Sequence, residues 1–210
     1  MNYVGQRLKR REDERFLQGR GAYVADVRRP DTLHLTVVRS PHAHVRILAV
    51  DVTAARACPG VVTFDNVPAL ARAIPMRLAE RGEMRRYLQR PLARDKVRYV
   101  GEPVAAIVAD DRYRAEDALA SVQVTYDPLP VLVDTRSAAE PWAPLLFESE
   151  GTNAVATYTV ACGDVDQALR EADLVLRESF YVQRHAVVPL ETRGALAKWD
   201  AGRACSACGA

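Results

Sequence analysis

Four small groupings in this 210-residue chain have residue types and spacings that chemistry could use. The first is the stretch "WDAGRACSACGA", which sets Cys205 and Cys208 in a C-x-x-C arrangement, the spacing of a redox pair or of half a zinc site. A structural zinc needs four ligands, and neither a second C-x-x-C nor an H-x3-5-H partner is found in the sequence. A redox pair needs its first cysteine at a helix start, where the thiolate is stabilised, and "CSACGA" offers none. The expectation is a frayed end without metal or redox chemistry. In "SPHAH", His42 and His44 stand two apart, and on a strand both imidazoles would face one side. With no third ligand nearby, local packing at a strand start is the better reading. Gly19 and Gly21 in "GRGAYV" miss the dinucleotide fingerprint, because Val24 replaces the third glycine and no helix follows. The adjacent Asp110 and Asp111 read as helix caps rather than an acid/base dyad. The residues alone predict no self-sufficient active site: no catalytic residue and no metal ligand.

The bulk numbers narrow the class. A hydrophobic fraction of 49% and a charged fraction of 27% belong to an ordinary globular protein, and a net charge of +2 implies no polyanionic partner. The segment 75–98 carries eight basic and three acidic side chains, but with Tyr87 its one aromatic it lacks the stacking platform of a nucleic-acid binder. The longest apolar run, "PVAAIVA" at 103–109, falls far short of the roughly 20 residues that span a bilayer. The N-terminus has charges but no apolar h-region, so the four cysteines are expected as reduced thiols in the cytoplasm.

These groupings must be positioned by regular elements. "TLHLTVV" alternates, with Leu33, Leu35 and Val37 on one face and His34, Thr36 and Val38 on the other. Strand character resumes at "HVRILAV", and a short helix in "DVTAARA" stops at Pro59-Gly60 before another β run. Residues 75–98 read as a partly helical, mobile insertion broken by Gly82 and Pro91. The run 103–109, apolar at every position, predicts a strand covered on both faces. A capped helix follows, with Ala115, Ala118, Leu119 and Val122 as its stripe, and then the strand "VQVTY". Strand, helix, strand predicts a βαβ-like unit, or at least a helix packed on a sheet. The mixed stretch 134–156 reads as a linker, followed by a helix capped by Asp164 and a long strand within "GDVDQALREADLVLRESFYVQRH".

Six stretches, in this order, resemble the molybdopterin-binding large subunit of the xanthine dehydrogenase/aldehyde oxidase/carbon-monoxide dehydrogenase family. They are "VGQRLKRREDERFLQGRGAYVADV", "VVRSPHAHVRI", "PGVV", "VRYVGEPVAAIVADDRYRAEDALASVQVTYDPLPVLVD", "GDVDQALREADLVLRESFYVQRH" and "PLETRGALAKWD". The resemblance implies an α+β fold: an N-terminal arm (1–18), an α/β hammerhead domain (19–133), a linker (134–152) and an incomplete molybdenum-cofactor-binding domain (153–210). It implies oxidation of aldehydes, purines, other heteroaromatics or carbon monoxide at a molybdenum–pterin centre, which itself carries the chemistry. Electrons would leave through 2Fe-2S clusters to FAD, held on small and medium partner subunits of an oligomeric complex. "YVQRHAVVPLETRG" matches a family signature running into the cofactor domain, which makes Gln183, His185 and Glu191 the weak candidates for residues near the cofactor. The family's glycine-rich cofactor loop and general-base glutamate have no counterpart here, so truncation or a frame change is expected at "ACSACGA", and the chain is expected to be inactive alone. The alternative is a non-catalytic module that docks flavin and iron–sulfur chains.

Overall fold

A computed structural model describes residues 4–64, 72–75, 82–200 and 203–208. The chain divides into two units, one of residues 31–165 and one of residues 1–30 with 166–210. The first contains two three-stranded antiparallel sheets. Strand β1 (His34–Arg39) lies beside β5 (Pro103–Ala109), which also pairs with β3 (Val62–Phe64). In the other sheet β2 (Val45–Asp51) is central between β4 (Lys96–Val97) and β6 (Gln123–Pro128).

The apolar run of β5 explains the layering. Ile107 is fully buried with Ala55 of helix α2 (Thr53–Arg56) and Ala118 of helix α3 (Arg112–Ala120). On alternate positions, which must face the opposite side, Val104 joins Val45 of β2, Val97 of β4 and Ala93 in a second cluster. One strand thus has helices on one side and the second sheet on the other, as its unbroken hydrophobicity predicts.

Helix α3 starts as its sequence dictates. The Asp111 carboxylate accepts from the backbone N–H groups of Tyr113 (2.8 Å) and Arg114 (3.2 Å), satisfying two amides that have no intrahelical acceptor. Asp110 instead pairs with the Arg114 guanidinium at 3.0 and 3.1 Å, so the two aspartates divide the work of a cap and an ion pair. Asp111→Ala is expected to destabilise this unit by about 1 kcal/mol, read as a lower urea midpoint with unchanged slope; an unchanged midpoint would remove the cap from the account. Before β3, Gly60 adopts φ +74°, a left-handed conformation that costs a residue with a Cβ and that closes the Pro59-Gly60 turn.

The structure decides several points that the sequence left open and overturns others. Strands β5 and β6 belong to different sheets, so strand–helix–strand 103–128 is a helix packed on a sheet and not a βαβ crossover. Of the two faces of β1, Leu33 and Leu35 are exposed while Val38 packs on the helix-side cluster. Gly82 opens the helical piece expected in 75–98, a 3-10 turn over Gly82–Tyr87, rather than breaking it; residues 76–81 lie outside the described residues. The segment expected as a linker, 134–152, falls within the unit 31–165.

The second unit contains helix α1 (Asp13–Leu17), helix α4 (Val165–Glu171, its first residue being the last of the other unit) and a hairpin of β7 (Leu196–Asp200) with β8 (Arg203–Cys208). The end expected to fray is therefore paired as a strand. Residues 172–189 form no strand, contrary to the long strand expected there. None of residues 4–30 and 166–198 is buried.

Candidate functional site

The strongest concentration of buried polar groups lies in the larger unit, where the "SPHAH" turn, β4 and the segment 129–153 meet. Ser40, His44, Lys96 and Glu102 are all buried. The Ser40 backbone bridges this corner: its N–H donates to the Glu102 carbonyl (3.0 Å) and its carbonyl accepts from Gly101 N–H (2.8 Å). This extends the β1–β5 pairing past the irregularity at Arg39. The two histidines then diverge. His42 packs edge-to-face on Tyr126, with ring centroids 5.1 Å apart. His44 turns its Nδ1 to the Pro130 carbonyl at 2.6 Å. A carbonyl only accepts, so Nδ1 carries the proton, and the buried Nε2 has no partner among the described residues. The two rings are thus held by different partners, the Tyr126 ring and the Pro130 carbonyl.

Lys96 donates to both oxygens of Glu148, a charged contact that spans 52 residues of sequence. This hydrogen bond holds the Glu148 carboxyl below the usual carboxylate range. Arg98 adds a second anchor, with Nε donating to the Leu146 carbonyl (2.9 Å) and its guanidinium 4.4 Å above the Phe147 ring. Tyr87 stacks edge-on to the same ring at 5.1 Å and donates its hydroxyl to the Thr152 carbonyl. Asn153 ties the loop to itself: its Oδ1 accepts from Leu146 N–H, and its Nδ2 donates to the carbonyls of Ala138 and Pro144, all at 3.0 Å. Glu102 sits beneath this corner, its carboxyl pushed up by burial although it accepts from Arg98 N–H at 2.6 Å. Burial likewise raises the phenols of Tyr99 and Tyr126.

The chemistry of this cluster is attachment. Its lysine is neutralised by a carboxylate, its arginine is spent on a carbonyl and a ring, and its histidine holds a backbone oxygen. Sequence reasoning found the two histidines but missed Lys96, Arg98, Glu102 and Glu148. A lysine and a glutamate so far apart leave no periodic trace, and "PLLFESEG" has the composition of a linker. A shallow depression of about 290 Å³ between β1 and α3 is lined by His34, Thr36, Arg112 and Glu116 among others, and its Arg112–Glu116 pair at 3.3 Å is already self-neutralised.

The residues singled out by resemblance lie in the other unit. Gln183 and His185 are exposed in irregular, extended chain. Glu191 accepts the Val24 N–H at 2.8 Å, at the start of a 3-10 turn spanning Val24–Asp26, and Gly194 rests against the Val24 side chain. Among the described residues no contact brings the three candidates together. Glu191 instead holds the 3-10 turn at Val24. Among the described residues no three His, Cys, Asp or Glu side chains are grouped to hold a metal. Of the terminal pair, Cys205 and Cys208 both fall in β8, which is not the helix start that a reactive thiolate requires. Among the described residues no helix is long and apolar enough to cross a membrane.

Comparison with known proteins places these units. Residues 18–130 match the family model "Aldehyde oxidase and xanthine dehydrogenase, a/b hammerhead domain", and residues 146–207 match "Molybdopterin cofactor-binding domain". The chain is 39% identical over 210 residues to the 6-hydroxypseudooxynicotine dehydrogenase complex subunit gamma of Paenarthrobacter nicotinovorans, covering 96% of this chain and 26% of that protein. It is 38% identical to the carbon monoxide dehydrogenase large chain of Afipia carboxidovorans, with 94% and 26% covered. Among solved structures, quinoline 2-oxidoreductase from Pseudomonas putida 86 is similar at a TM-score of 0.72 and 33% identity, covering 95% of this chain and 25% of that one. The chain thus spans about a quarter of the length of the relatives it matches. A hammerhead match over more than half of its length, followed in order by the start of the cofactor domain, shows that the chain belongs to the aldehyde oxidase and xanthine dehydrogenase family of molybdopterin-binding large subunits.

Proposed function

We propose that this chain is the front portion of a molybdenum-dependent hydroxylase or dehydrogenase large subunit, and that it contributes scaffold rather than catalytic residues. The observation that carries this reading is that most of the hammerhead match, 18–130, lies in the unit 31–165, which has a packed core, while the cofactor-domain match, 146–207, runs largely through residues without one. The described residues do not fit a molybdopterin by themselves. A pterin with its metal needs several donors converging around it, whereas Gln183 and His185 are exposed and the Glu191 carboxylate is engaged with Val24. Gln183, His185 and Glu191 remain the residues that would lie toward the pterin in a completed subunit.

In such a complex FAD and 2Fe-2S clusters reside on medium and small partner chains, and the setting is the cytoplasm, consistent with the free thiols of Cys58 and Cys162. The relatives' names, a complex subunit gamma and a large chain, support membership of a multi-subunit assembly. A docking role for the hammerhead itself is favoured by one surface feature. Leu35, Val108 and Val62 stand directly opposite one another across three strands, and Leu35 and Val62 are 64% and 53% exposed.

The test is molybdenum analysis of the purified 210-residue chain, together with dye reduction driven by aldehyde, xanthine, nicotine, quinoline or carbon monoxide. Neither metal nor turnover is expected from the chain alone, and both are expected when the remainder of a large subunit and its redox partners are co-produced. Stoichiometric molybdenum with turnover in the isolated chain would overturn the proposal.

A further inference from the structure

We infer, resting on the family reading for the identity of the second unit, that residues 13–27 are an element of the cofactor-binding unit and that Glu191 is the residue that positions them there. Resemblance nominates Glu191 for the neighbourhood of the cofactor, but its carboxylate is committed to a backbone amide 167 residues away in sequence. The hammerhead match begins at residue 18, whereas residues 1–30 group with 166–210. The two boundaries disagree over residues 18–30. On the second of them the chain leaves one unit at residue 30 and returns to it at 166, so the hammerhead is inserted between two pieces of that unit.

Three fits in succession tie the first piece down. The Phe16 ring of α1 lies over Gly21, where an added Cβ would come within 2.9 Å of the ring. At the next turn, Asp26 accepts the Tyr23 N–H at 3.0 Å and Glu191 accepts the Val24 N–H at 2.8 Å. Amides that open a helical turn have no acceptor within it, so the 3-10 turn Val24–Asp26 needs an oxygen from outside. A carboxylate is the stronger choice, because its charge strengthens the bond. Gly194 then closes over the same residue. A Cβ there would stand 3.1 Å from Val24 Cγ1 and 3.2 Å from Val24 Cβ, tighter than side chains normally pack.

The stretch "ETRG" at 191–194 therefore gives Val24 both an acceptor for its amide and room for its side chain. Among the described residues, no other hydrogen bond of 13–27 reaches a part of the chain more than five residues away. The one long-range bond of this segment thus leads to the piece that follows residue 165, not to the hammerhead.

The experiment follows amide hydrogen exchange in the full 210-residue chain by nuclear magnetic resonance. Glu191→Ala is expected to speed exchange of the Val24 N–H about tenfold, through loss of one hydrogen bond, and to leave the β5 amides unchanged. Gly194→Val, which crowds the Val24 side chain, is expected to do the same. Glu191→Gln keeps an oxygen that can accept and is expected to stay within about threefold of wild type. That rescue separates a positioning acceptor from a general loss of folding. Ile107→Ala, which opens the hammerhead core, is expected to speed β5 exchange without moving Val24.

The assignment is overturned if either of the first two substitutions leaves Val24 exchange unchanged, if glutamine behaves as alanine does, or if Ile107→Ala speeds Val24 together with β5. The family-level reading fails on different results. Molybdenum with turnover in the isolated chain would sink that reading and leave these exchange rates as they are, whereas Val24 exchange that follows β5 would sink this assignment alone.

Discussion

Ile107→Ala is expected to lower the thermal midpoint of the unit 31–165 by about 10 °C, the counterpart of roughly 3 kcal/mol for a domain of this size. Ile107 is fully buried where β5 meets both helices, with Ala55 and Ala118 as its buried neighbours and Val38, Cys58, Val61, Leu119 and Val122 packed around. Those neighbours include two alanines on short elements, which have no longer side chain with which to fill the space. Collapse is therefore limited, and the cavity cost adds to the lost transfer energy. Ile107→Val removes one methyl and is expected to cost about 1 kcal/mol. The pair of variants, followed by circular dichroism, checks the packing account: equal midpoints for the two would place Ile107 outside the core.

That strand was also the most legible part of the chain, for a reason specific to its position. A strand that has helices on one side and a second sheet on the other must be apolar at every residue, so "PVAAIVA" announces both its type and its burial. The α3 start was equally readable, because a cap is a local event between Asp111 and the amides two and three residues on. What the residues did not disclose was pairing. Two strands flanking a helix look the same whether they share a sheet or, as β5 and β6 do, belong to two. On β1 the alternation defined two faces, but Leu35 and Val38 made both of them apolar, and only tertiary context chose Val38 for the core.

The candidate residues divide along the same line. His42 and His44 were visible as a spaced pair, yet their partners, Tyr126 and the Pro130 carbonyl, lie more than eighty residues away. Gln183, His185 and Glu191 came from resemblance alone, and among the described residues Glu191 is the one of the three with a hydrogen-bond partner, the Val24 amide. Residues 174–190 are rich in apolar side chains, which suggested a strand, yet they form none and leave those side chains exposed.

The contact between Lys96 and Glu148 makes attachment of the 134–153 segment dependent on pH. The Lys96 side chain is 10% exposed and that of Glu148 is 56% exposed, so the pair sits at the rim of the core. Its hydrogen bond depresses the Glu148 carboxyl below the ordinary value near 4.5. A folded-state value lower than the unfolded one means that the contribution is fully present above about pH 4.5 and is lost as pH falls through the depressed value. Breaking a well-buried pair costs about 3–5 kcal/mol, but water reaches this carboxylate, which reduces the expected cost of Glu148→Gln to about 1–2 kcal/mol at pH 7. Glu102, raised by burial, acts with the opposite sign and penalises the fold once it ionises, so the informative quantity is the difference between wild type and variant rather than either profile. That difference is expected to shrink as pH falls from 4.5 through the depressed value, in urea melts at each pH. Limited proteolysis at pH 7 is expected to cut the variant faster within 134–153, because the segment then depends on fewer anchors, those from Arg98, Tyr87, Arg86 and Asn153. Lys96→Met, which removes the buried charge together with the need for its partner, is expected to destabilise less than Glu148→Gln. A wild-type-to-variant difference that stayed constant from pH 7 to pH 3 would show that the carboxylate's charge is not what fastens the segment.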